Sequence, residues 1–174
     1  TRVHGAPLEK VSPARWRALV PDVAAALEAM RLADLSGTSG FGGWDAEGAG
    51  SHGSWSAYLL AVGEDSPDPR IVGWQERLAA TPEGRAAFVW GYNRLEEVAH
   101  VPVPRSLVHG DLINRNVLVD AIGLTGVLDW GCSIYGDPLY DLAWFEFWEP
   151  WHPELELRPL RMELERRRQD AGCA

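Results

Sequence analysis

Lysine is almost absent from this sequence. Of its sixteen basic residues only Lys10 is a lysine, so any chemistry that needs an ammonium group on a strand has one candidate. That candidate sits in Pro7-Leu8-Glu9-Lys10-Val11, just ahead of a helix start and outside any expected strand. Cysteine is scarce as well. Cys132 and Cys173 are too few for a disulfide framework, and a reducing, cytoplasmic setting fits them better. Positive charge is short overall: 25 acidic against 16 basic residues give a formal charge of −9. That balance argues against nucleic acid as a partner; it suits a cationic small molecule, and equally a surface whose acidity only serves solubility. No run of about 18 apolar residues occurs, so no membrane-spanning helix is expected. The opening Thr1-Arg2-Val3-His4-Gly5 has neither an initiator Met nor a signal-type apolar stretch, which raises the expectation of a piece cut from a longer chain.

What is present is ordinary globular material: 46% hydrophobic and 24% charged residues over 174 positions are enough for one real core. Ser12-Pro13 reads as an N-cap followed by the first helical position. Trp16, Leu19, Val20, Val23, Leu27 and Met30 then recur at helical spacing. Pro21 lies inside that pattern and predicts a kink or two abutting helices. Residues 34–53 are rich in Gly and Ser and have no period, so they read as one long loop. Short helices are expected over Ser54–Val62 and Arg70–Ala79, separated by a turn at Asp65–Pro69, and a longer one from a Thr81-Pro82 cap to Ala99. The pattern then switches to short apolar runs at Ser106–Val108, Val117–Val119 and Leu124–Leu128, which predict strands. Asp137-Pro138 opens another helix, and an arginine-rich helix follows Pro153, where Arg166-Arg167-Arg168 forms a solvated face. The order predicts a mostly helical α+β lobe with a small β-hairpin insert.

The chemistry is concentrated in Leu107-Val108-His109-Gly110-Asp111-Leu112-Ile113-Asn114-Arg115-Asn116-Val117-Leu118-Val119. Asp111 and Asn116 are five residues apart between two expected strands. Phosphoryl transfer needs one carboxylate to take or orient the proton of the attacking hydroxyl, and an oxygen ligand for Mg²⁺ close by. The spacing matches the kinase pattern H-x-D-x-x-x-x-N. Eighteen residues after Asp111, Asp129-Trp130-Gly131 at the end of a strand parallels the metal-binding D-F-G element. Mg²⁺ takes one or two protein oxygens plus substrate phosphates, so Asn116 and Asp129 are a sufficient set.

The segments LVHGDLINRNVLVD and GVLDWGCSIYGDPLYDLAWF resemble the catalytic and metal motifs of the aminoglycoside phosphotransferase family, which has a protein-kinase-like fold. Arg2-Val3-His4-Gly5 resembles the start of that family's C-terminal lobe, and Ala33–Gly42 is similar to a loop of hygromycin B phosphotransferases. The resemblance covers most of the chain and is most specific between Leu107 and Trp144. It implies an ATP- or GTP-dependent, Mg²⁺-dependent kinase acting on a small-molecule hydroxyl, with Asp111 as base and Asn116 and Asp129 as metal ligands. It further implies that His109 packs beneath the loop, that Asp141 braces the loop through backbone N–H groups, and that Asn114 contacts phosphate or substrate. Asp137 reads as a cap first, with a substrate role as the alternative. The acceptor class it suggests is an aminoglycoside-type antibiotic.

Other features compete. Gly48-Ala49-Gly50-Ser51-His52-Gly53 satisfies G-x-G-x-x-G, but Gly42–Glu47 is not an expected strand and no acidic residue follows at the required distance. Trp144, Trp148 and Trp151, with Glu146 and Glu149, could line an acceptor cleft; core packing is the competing expectation for each ring. A metal-dependent hydrolase built on His109, Asp111 and Asp129 would need a further ligand. The Gly-rich loop and strand lysine of a working kinase are not in these 174 residues. The expectation is therefore a C-terminal catalytic lobe whose N-terminal nucleotide lobe and last helices lie elsewhere, and which turns over little alone; the alternative is a non-catalytic binding module that keeps the kinase-like fold.

Overall fold

The computed structural model describes residues 2–66, 69, 71–113 and 115–172. In chain order its elements are β1 (Ala6–Pro7), α1 (Pro13–Arg31), β2 (Phe41–Trp44), β3 (Gly50–His52), α2 (Trp55–Leu60), α3 (Trp74–Ala79), α4 (Pro82–Ala99), β4 (Ser106–Val108), β5 (Val117–Val119), β6 (Leu124–Val127), β7 (Ile134–Gly136), α5 (Tyr140–Trp148) and α6 (Arg158–Gly172). The expected α+β class holds: helices dominate and the strands are short and antiparallel. No helix among the described residues is long and apolar enough to cross a membrane. Two compact units emerge, Thr1–Gly37 with Pro104–Ala174, and Thr38–Val103.

In the first unit, α1 runs unbroken through Pro21. The expected kink or break does not occur as an interruption because Pro21 lies on the exposed side, where its missing donor leaves no buried carbonyl stranded. The Pro21 carbonyl instead accepts from the Arg167 guanidinium at 3.1 Å. The apolar stripe of α1 faces the core: Trp16, Leu19 and Val23 are almost fully buried with Phe145, Leu157 and Leu160. The Trp16 indole N–H donates to the Glu156 carbonyl at 2.7 Å, which satisfies its one polar atom. Ser12 caps α1 by accepting from the Arg15 N–H at 3.3 Å, with Pro13 in the first turn. Ser12→Ala should lower stability by about 1 kcal/mol, read as a melting-temperature drop of about 2–4 °C.

The strands of this unit determine where the site forms. β5 lies between β1 and β6, with Ala6 opposite Val119 and Val117 opposite Val127. β4 pairs with β7, placing Val108 opposite Ile134. The segment after Val108 joins β4 to β5, and the segment after Val127 joins β6 to β7. Because β5 pairs with β6 while β4 pairs with β7, the two connections come out side by side. β1 and β7 were not expected from the sequence; strands of two and three residues carry no period of their own. α5 starts at Tyr140 rather than at Pro138: Asp137 accepts from the Leu139 N–H at 2.9 Å and holds a turn before the helix.

In the second unit, residues 34–53 are not one loop. Phe41–Trp44 and Gly50–His52 form a β-hairpin, with Phe41 opposite His52 and an irregular register toward Trp44. Glycines at positions 40, 42, 43 and 50 hide the period-2 signal, since alternation needs side chains to be seen. A strand therefore does precede Gly48, against expectation. Gly50–His52 is itself the return strand, so the glycines belong to a hairpin and not to a phosphate loop opening a helix. Ser54 caps α2, accepting from Ala57 N–H at 3.1 Å. Thr81 does not cap α4; its hydroxyl donates back to the Leu78 carbonyl at 3.1 Å. The expected helix over Arg70–Ala79 is observed only as Trp74–Ala79, and Arg70 lies outside the described residues, as do Pro67 and Asp68 of the expected turn.

Candidate active site

The loop between β4 and β5 turns sharply at Gly110. Its φ is +81°, and a Cβ there would lie 2.6 Å from the Cys132 carbonyl oxygen, so only glycine fits. Leu112 and Ile113 are each 2% exposed and anchor the loop in the core. Asp111 is thereby held at a half-buried position between two fixed points. Asn116 closes the loop. Its Nδ2 donates to the Asp111 carbonyl at 2.7 Å and to Asp111 Oδ2 at 3.2 Å. With Nδ2 committed, Oδ1 is the Asn116 atom left to meet a cation.

Asp141 braces the turn from α5. Its Oδ2 accepts from the His109 N–H at 2.9 Å and its Oδ1 from the Gly110 N–H at 2.7 Å. The carboxyl is almost fully buried. Burial pushes its pKa above the ordinary carboxylate value, and the two N–H bonds with the neighbouring His109 offset that only in part.

His109 is completely buried and its two ring nitrogens are both engaged. Nε2 lies 2.7 Å from the Leu128 carbonyl, which can only accept, so the proton is on Nε2. Nδ1 accepts from the Asp111 N–H at 3.2 Å. No nitrogen is left for a metal, which removes His109 from the hydrolase reading. Among the described residues no group of three or more His, Cys, Asp or Glu side chains is placed to hold a metal ion.

The second connection is tied to the first. The Leu128 N–H donates to the Asn116 carbonyl at 2.7 Å, and the Trp130 ring packs 4.8 Å from the His109 ring. Sequence reasoning found Trp130 only as the aromatic of the D-x-G element; its packing on His109 follows from the strand pairing. Asp129 is exposed, has a φ of +56°, and makes no hydrogen bond or ion pair with any described residue. The only other non-glycine residue with positive φ among the described residues is Arg115, at +67°. Both outliers fall in these two loops, where positive φ costs on the order of 1–3 kcal/mol and persists only under surrounding constraint. Asn114 lies outside the described residues.

A Mg²⁺ ion fits the groups present. The Asn116 amide oxygen and the Asp129 carboxylate are hard oxygen donors, neither consumed by internal bonds. The acidic pair on α5 and beyond is differently placed. Glu146 forms an ion pair with Arg161 at 2.7 Å, and Glu149 accepts from the Leu157 N–H at 3.2 Å, so both carboxylates have partners inside the chain. The aromatic rings do gather: Trp148 lies 5.9 Å from Trp144 and 5.5 Å from Trp151, with Phe147 among them. Phe147 and Trp151 are exposed, and the buried indole N–H groups of Trp144 and Trp148 have no partner.

Residues 1–171 match the phosphotransferase enzyme family, APH. The chain is 33% identical over 154 residues to hygromycin-B 4-O-kinase of Escherichia coli, a match covering 86% of this chain and 42% of that protein. Among solved structures it is similar to the apo form of a thermostable mutant of aminoglycoside phosphotransferase APH(4)-Ia, with a TM-score of 0.80 and 32% identity over 98% of this chain and 56% of that one. A ternary complex of such a mutant with AMP-PNP and hygromycin B gives the same TM-score and identity, over 99% and 56%. The chain thus spans about half the length of these relatives. By its motifs, its fold and a match over nearly its whole length, the chain belongs to the phosphotransferase enzyme family.

Proposed function

We propose that this chain supplies the catalytic lobe of an ATP-dependent kinase that phosphorylates a hydroxyl of an aminoglycoside-type antibiotic. The observation that carries the reading is the Asp111–Asn116 contact, set between β4 and β5 beside an uncommitted Asp129. Asp111 orients the acceptor hydroxyl and takes its proton. Asn116 Oδ1 and the Asp129 carboxylate would hold Mg²⁺, which neutralises charge on the nucleotide phosphates when bound. His109, Leu128 and Asp141 keep the two loops in register and leave the proton traffic to Asp111. The related structures hold AMP-PNP with hygromycin B, or ADP with hygromycin B, which supports an adenine nucleotide and this acceptor class.

The acceptor platform in this reading is the ring cluster of Trp144, Phe147, Trp148 and Trp151. Its exposed members, Phe147 and Trp151, present ring faces on which the apolar face of a sugar-like ligand can pack. Glu146 and Glu149 are available to ammonium groups only if they exchange their present partners. The phosphate clamp comes from a nucleotide lobe outside this segment: Lys10, the sole lysine, lies in a short 3₁₀ turn at Leu8–Lys10 rather than on a strand. The reading includes a cytoplasmic setting, supported by the need for a nucleotide and by a sequence with only two cysteines.

The test is ATP consumption by the full-length protein containing this segment, against a panel of hydroxylated acceptors that includes hygromycin-like aminoglycosides. Absence of acceptor-stimulated turnover across the panel would overturn the reading. Asp129→Asn should raise the Mg²⁺ concentration needed for half-maximal turnover by about tenfold, since it leaves an amide oxygen but takes the negative charge from a direct ligand, and even indirect partners cost that much.

A further inference from the structure

The stretch from Ser106 to Leu157 contains every residue assigned above, and it holds nine acidic residues and one basic one. The basic residue is Arg115. One minus nine leaves −8 with histidines neutral, in a region that must receive a polyanionic nucleotide. Several of those acids are spent on structure: Asp120 on the Ile122 and Gly123 N–H groups, Asp137 on Leu139, Asp141 on the catalytic turn, and Glu146 on Arg161. Asp111 and Asp129 remain at the site itself.

Arg115 stands in the residue position immediately before Asn116. It is exposed, and its guanidinium has no ion pair or hydrogen bond with any described residue. Its backbone φ of +67° is one that glycine or asparagine adopts more readily than arginine. Arginine thus stands where the backbone disfavours it, next in sequence to Asn116 on the catalytic loop, with its charge unspent.

We infer that Arg115 is a phosphate-contacting residue, whose guanidinium binds non-bridging oxygens of the nucleotide's terminal phosphates at the catalytic loop. The inference rests on the kinase reading above and adds to it a cation from this lobe. A guanidinium suits this task because its planar fork matches phosphate oxygens in pairs and it is charged at every working pH.

The experiment uses the full-length protein, with Mg²⁺–AMP-PNP as the calorimetric titrant and the melting temperature of the ligand-free protein as second readout. Arg115→Gly should bind Mg²⁺–AMP-PNP about tenfold more weakly, or worse, the loss of one charge-assisted contact. The same variant should melt about 2 °C higher without ligand, because the backbone conformation is relieved. Arg115→Asn, which also tolerates positive φ, should lose affinity alike. Arg115→Lys, which restores the charge but not the fork, should bind more tightly than Arg115→Gly and more weakly than wild type, with no gain in melting temperature, a pattern that a purely structural role would not produce. Unchanged affinity in Arg115→Gly and Arg115→Asn, with Asp129→Asn impaired, overturns the role of Arg115 and leaves the kinase reading standing. A wild-type protein that binds no Mg²⁺–AMP-PNP, or an Asp129→Asn variant that binds it normally, overturns both.

Discussion

Asp111→Asn should lower kcat by about 10²–10⁴-fold, the range expected when a positioned general base is removed, while the fold survives. The substitution is nearly isosteric and keeps an oxygen where Asn116 Nδ2 now reaches Asp111 Oδ2 at 3.2 Å. The second Asn116 bond, to the Asp111 carbonyl at 2.7 Å, does not involve the side chain at all. The loop is also pinned by Leu112 and Ile113 below and by Asp141 behind. What the amide cannot do is accept the proton of an attacking hydroxyl. The melting temperature and far-ultraviolet circular dichroism should therefore match wild type, and the Kd for Mg²⁺–AMP-PNP should change far less than kcat. Coupled ATP-consumption kinetics with a saturating aminoglycoside acceptor provide the measurement. Full turnover in Asp111→Asn would remove Asp111 from the chemistry and with it the mechanism proposed here.

Much of this site was legible because its grammar is local. Asn116 lies five positions after Asp111, and Asp129-Trp130-Gly131 follows a short apolar run; both patterns need only the chain's own order. The α1 stripe was legible for the same reason, since helical period is written within one segment. Less visible was everything decided by pairing across the chain. The β4–β7 pair brings the Trp130 ring onto His109, yet β7 is three residues long and has no signal before its partner is known. The Phe41–His52 hairpin was hidden behind glycines, whose missing side chains erase alternation. Glu146 and Glu149 looked free because their partners, Arg161 and the Leu157 N–H, arrive from later segments. Arg115 shows a third kind of gap: its positive φ is a property of the closed loop, and no residue type announces it.

Asp141→Ala should be the most damaging change outside the reacting groups. The side chain is 2% exposed and accepts from the N–H groups of His109 and Gly110. Truncation leaves two buried donors unpaired, at a cost of about 2–4 kcal/mol, or about 4–16 °C in melting temperature for a domain of this size. The pH dependence has a definite sign. Burial raises the folded-state pKa of Asp141 above its unfolded value, against the smaller opposing pull of its N–H partners and His109. Its contribution to stability is therefore fully present below the unfolded value of about 3.9 and declines as pH rises through the higher folded value. The gap in melting temperature between wild type and Asp141→Ala should be widest at the acid end of a series from about pH 4 to 8, and level off above the folded pKa. Asp141→Asn separates bracing from charge: its one amide oxygen takes one N–H while its NH₂ confronts the other, so it should lose stability without that pH-dependent component. Both variants should lose turnover with Asp111 intact, because Gly110 and the His109 ring set the direction of the Asp111 backbone. Wild-type stability and turnover in Asp141→Asn would show that the two N–H bonds do not hold the catalytic loop.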